Sequence, residues 1–170
     1  MHGKYFQAVV KPTIAASAQH VAFSNRDVLF DWTPIEIPKG TAKLVSVVAF
    51  VRPNPDAGPT QGFAPSFPLW FADDDRTSFG TSNSAQSNRP HVRDLIGCLE
   101  MSTENHISMG SNSSIATFVS GPTLDGDHGK FDSLVFTPNH DLAEVTAGHG
   151  TIYFACLLYT SDAADEEDSV

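Results

Sequence analysis

Ala42–Arg52, AKLVSVVAFVR, decides the fold class of this 170-residue chain. Leu44, Val45, Val47, Val48, Ala49, Phe50 and Val51 are apolar at odd and even positions alike. A short apolar run bounded by turn signals reads as a strand buried on both faces or as a buried helix segment. Four valines and a phenylalanine favour the strand, because β-branched and aromatic side chains suit a pleated surface. The expectation is a central strand covered on two sides. Just before it, Pro38-Lys39-Gly40-Thr41 is a turn signal: Pro fixes φ and Gly permits positive φ. After it, Pro53–Pro65 (PNPDAGPTQGFAP) reads as a surface loop rich in Pro and Gly.

Working outward, the rest of the chain repeats this grammar. Asp27–Trp32 (DVLFDW) alternates, with Val28, Phe30 and Trp32 expected on one face. Ile35 and Ile37 continue it between Pro34 and Pro38, which places this end at a sheet edge or a bend. Lys4–Lys11, Phe67–Ala72, Leu95–Met101, Ser114–Val119, Phe131–Thr137 and Gly150–Ala155 complete the expected strands. Asp73–Arg89, Asn105–Ser114 and Gly121–Gly129 read as polar loops, and Asn139–Thr146 as one helical turn. Seven to nine short strands with turn signals between them predict an all-β, antiparallel β-sandwich, jelly-roll-like, with long polar loops.

The C-terminal stretch breaks this grammar. Cys156–Asp165 (CLLYTSDAAD) resembles translated read-through of a transposon-library sequencing adapter. The adapter codons TGT CTC TTA TAC ACA TCT GAC GCT GCC GAC give these ten residues in one frame. The plainer reading is an acidic tail. The adapter reading divides the chain into a single domain at 1–155, truncated at its C-terminus, and a non-native tail at 156–170. It also resets the charge. The formal value is −10, and five of the twenty acids (Asp162, Asp165, Glu166, Glu167 and Asp168) lie in the tail. Fifteen acids against ten bases leave −5, which is ordinary acidity for solubility. The tail itself is expected to be extended or poorly packed, continuing the last strand through Leu157-Leu158-Tyr159.

Several functional classes are disfavoured. The Lys and Arg residues do not cluster as a nucleic-acid surface requires, so no nucleic-acid partner is expected. No apolar run reaches the roughly 18 residues of a membrane span, and Met1–Phe6 does not open a signal peptide. Without Cys156, Cys98 has no disulfide partner and reads as a small buried apolar residue. No glycine-rich phosphate loop, GxSxG, HExxH or CxxC pattern is present, so neither a catalytic residue nor a cofactor is expected.

What remains is weak local chemistry. Asp125-Gly126-Asp127-His128 is the better of two acidic clusters for a metal, the other being Asp73-Asp74-Asp75. Neither has the ligand spacing of a calcium loop, and solvated loop charge is the plainer reading. Three of His91, His106, His128, His140 and His149 converging with a carboxylate would make a cupin-like metalloenzyme, but none has local metal-pair spacing. Phe63 and Phe79 stand on glycine-flanked loops and are the candidate exposed contacts for a glycan or receptor. The remaining aromatics read as core.

Lys4–Pro53, KYFQAVVKPTIAASAQHVAFSNRDVLFDWTPIEIPKGTAKLVSVVAFVRP, resembles structural proteins of marine tailed bacteriophages in strand layout. The resemblance covers the first third of the chain. It implies a virion protein in head, neck or tail, assembled in the host cytoplasm, with copies of itself and other virion proteins as partners. It carries over no catalytic residue. A carbohydrate- or receptor-binding sandwich is the alternative expectation.

Overall fold

The computed structural model describes residues 5–14, 23–52, 66–88, 90, 92–110, 113–120, 130–131, 134–137 and 149–158. Among these, ten strands follow in order. They are β1 (Val28–Pro38), β2 (Ala42–Lys43), β3 (Ser46–Val51), β4 (Phe67–Ala72) and β5 (Leu95–Met101), then β6 (His106–Gly110), β7 (Ser113–Ser120), β8 (Lys130–Phe131), β9 (Val135–Phe136) and β10 (His149–Leu157). One sheet has the order β1-β10-β4-β5, and a second has β3-β7-β6 with β8 beside β7. β2 and β9 form a two-stranded pair. All pairings are antiparallel except β7 with β8. The chain is all-β, as expected from its periodicity.

The two larger sheets share one core, as in a β-sandwich. Phe30, Phe67, Leu69, Phe71, Leu99, Met101, Ile152 and Phe154 come from the first sheet, and Ala116 and Phe118 from β7. Phe30 meets Phe154 edge-on at 5.1 Å, and Phe71 stacks on Phe154 at 6.4 Å. Val47, Ala49 and Val51 turn the inner face of β3 towards this core. A short 3-10 turn at Thr103–Asn105 carries the chain from β5 in one sheet to β6 in the other. The Asn105 side-chain oxygen accepts hydrogen bonds from the Ser102 amide (3.2 Å) and hydroxyl (2.8 Å), which closes that turn.

β4 and β10 are buried on both faces because the first sheet has a second cover. Phe79 lies on its outer side with Val28, Ala155, Leu157, Trp32 and Trp70. Trp32 and Trp70 approach the Phe79 ring at 5.1 and 6.3 Å. Gly80, at φ +151°, lets this segment lie close: a Cβ there would stand 2.8 Å from Val28 Cγ2.

Several expectations need correction. β3 is not central: it is an edge strand paired only with β7 among the described residues, and its outer face is exposed. Val28 and Phe30 do not share a face, because register shifts between Val28, Phe30 and Thr33 send them to different clusters. Residues 5–11 form no strand, and His106–Gly110, expected as loop, is β6. Phe131–Thr137 divides into β8 and β9, which pair with different strands. Cys156, Leu157 and Leu158 are buried, so the expected poor packing fails at these three residues. The strand continuation does hold through Leu157. Their apolar side chains suit a strand that is covered on both sides.

Other expectations hold. β4 and β5 take their expected bounds, and among the described residues β1 is an edge strand of its sheet. Gly40 adopts φ +103° in the turn before β2.

Candidate functional site

Strand alternation gives the second sheet an inner and an outer face. On β3 the outer positions are Ser46, Val48 and Phe50. On β7 they are Ile115, Thr117 and Val119, and on β6 Ile107. The register aligns them in rows: Phe50 faces Ile115 and Ile115 faces Ile107, while Val48 faces Thr117 and Ser46 faces Val119. Met109 extends the patch at a register shift between Ser108 and Gly110.

These side chains are open to solvent. Ile107 is 71% exposed, Val48 and Met109 58%, Phe50 56% and Val119 48%. At roughly 150–200 Å² for each large side chain, the five expose on the order of 500 Å². That stands at the upper end of the 300–600 Å² or so found for the largest apolar patch on a typical monomer, and such patches are often functional. The outward positions of β3, β7 and β6 in these rows are apolar or carry hydroxyls, and Lys130 of β8 stands in register beside Val119. Apolar contact dominates its chemistry, with the Ser46 and Thr117 hydroxyls beside it.

The residues picked from sequence fall elsewhere. Phe79 is a correction: it is 1% exposed and cannot be a surface contact as placed. The Asp31 carboxylate holds its loop, accepting hydrogen bonds from the amides of Trp32 (2.8 Å) and Phe79 (2.6 Å) and from the Ser78 hydroxyl (2.6 Å). Phe63, Asp125, Asp127, His128, His91 and His140 lie outside the described residues. His106 is on β6, where its Nδ1 is 2.9 Å from Ser114 Oγ.

The Asp73 cluster is an ion-pair site. The Arg76 guanidinium bridges Asp74 at 2.8 Å and Asp94 at 3.1 Å. Burial, and then the Asp94 charge, push the Asp73 carboxyl above its ordinary range. Among the described residues, no three His, Cys, Asp or Glu side chains are grouped to hold a metal.

Cys98 is exposed, not buried as expected, because on the edge strand β5 it alternates with Leu99 and Met101, which take the core side. Local burial and the nearby Glu100 charge push its thiol up, which disfavours the thiolate. Cys156 is buried, and burial pushes its thiol up further.

The sequence signal for the apolar face was present, in Val48 and Phe50, but it pointed to burial. No protein-family model, curated protein or solved structure matches the chain.

Proposed function

We propose that the chain is a non-enzymatic structural subunit of a tailed-bacteriophage particle, in head, neck or tail. It acts by packing against copies of itself and against neighbouring virion proteins, and it assembles in the host cytoplasm. The exposed apolar outer face of the β3-β7-β6 sheet carries this reading. A repeating assembly needs such a face on every copy, whereas a lone monomer gains nothing from keeping it wet. A jelly-roll-like sandwich would hold that face rigidly. The likeness of Lys4–Pro53 to phage structural proteins points the same way.

Mass spectrometry of purified particles tests the proposal. Peptides from residues 1–155 are expected at many copies per particle. A well-covered virion proteome without them would sink it. The glycan-binding alternative loses support, since Phe79 is inside and Phe63 alone remains of its two aromatics.

A further inference from the structure

We draw no further inference here: the strongest candidate, the exposed apolar outer face of the β3-β7-β6 sheet around Phe50 and Ile107, with Lys130 of β8 beside Val119, carries nothing beyond the reading above, since nothing in the structure shows what covers it.

Discussion

Phe79 shows how one side chain can close a sheet face. It sits between Trp32 and Trp70, and the Asp31 carboxylate accepts its backbone amide's hydrogen bond at 2.6 Å. Removing a fully buried phenylalanine leaves a cavity as well as losing transfer energy, so Phe79→Ala should destabilise the fold by about 3–5 kcal/mol. Urea unfolding measures this. A change below about 1 kcal/mol would mean that the ring is not packed as described. Sequence could not place this residue, because glycine neighbours and a polar loop look the same whether the loop stands away from a sheet or lies on one.

Asp73 offers a pH prediction at the same scale. Burial and Asp94 raise its carboxyl above 3.8, so the folded state holds the proton more tightly than the unfolded chain does. Its favourable contribution is complete below that ordinary value and is lost as pH rises through the raised one. Asp73→Asn removes this loss. Relative to wild type, the variant should be more stable at neutral pH than at about pH 3, by urea unfolding. An unchanged difference across that range would refute the assignment.

At the scale of elements, β10 joins the halves of the first sheet. It pairs with β1 on one side and β4 on the other. Its last residues matter most: Leu157 pairs with Val28, and Cys156 with Phe30 and Leu69. Leu158 exchanges backbone bonds at 2.8 Å with Arg26 and Asp27. A chain ending at Ala155 loses three buried side chains and these bonds. At about 2–5 kcal/mol for each leucine, that approaches the whole stability of a domain, about 5–15 kcal/mol. Such a chain is expected to show no cooperative thermal transition by circular dichroism. A normal midpoint would show that Cys156–Leu158 are dispensable.

Legibility followed the strength of each strand's pattern. β4 and β5 were readable because FPLWFA and LIGCLEM are bounded by polar loops. β6 was not, since HISMG holds only two apolar side chains, Ile107 and Met109, and both face solvent. β3 reads as a strand, but as a central one, whereas it lies at an edge. Apolar residues on both faces signal two covered faces, whether the cover is the same chain or another copy. That ambiguity is why the candidate surface was visible in the sequence but its meaning was not.

For the whole molecule, charge and the apolar face oppose each other. Copies that meet through the apolar face still carry −10 each, and five of the acids lie in residues 159–170. Coulomb repulsion between two like copies scales with the square of their charge, so removing 159–170 lowers it to about a quarter. Salt screens that repulsion, since the Debye length falls from about 10 Å at 0.1 M to about 3 Å at 1 M. Apolar contact is not weakened by salt in this way. Self-association of the full chain through this face should therefore tighten several-fold between about 0.1 and 1 M salt. The chain ending at Leu158 should self-associate more tightly at low salt and respond less to added salt. Sedimentation equilibrium of both chains at both salt concentrations reads the four constants. Weakening with salt would mean that ion pairs hold the copies together, and the contact would then have to lie on a charged surface rather than on the β3-β7-β6 face.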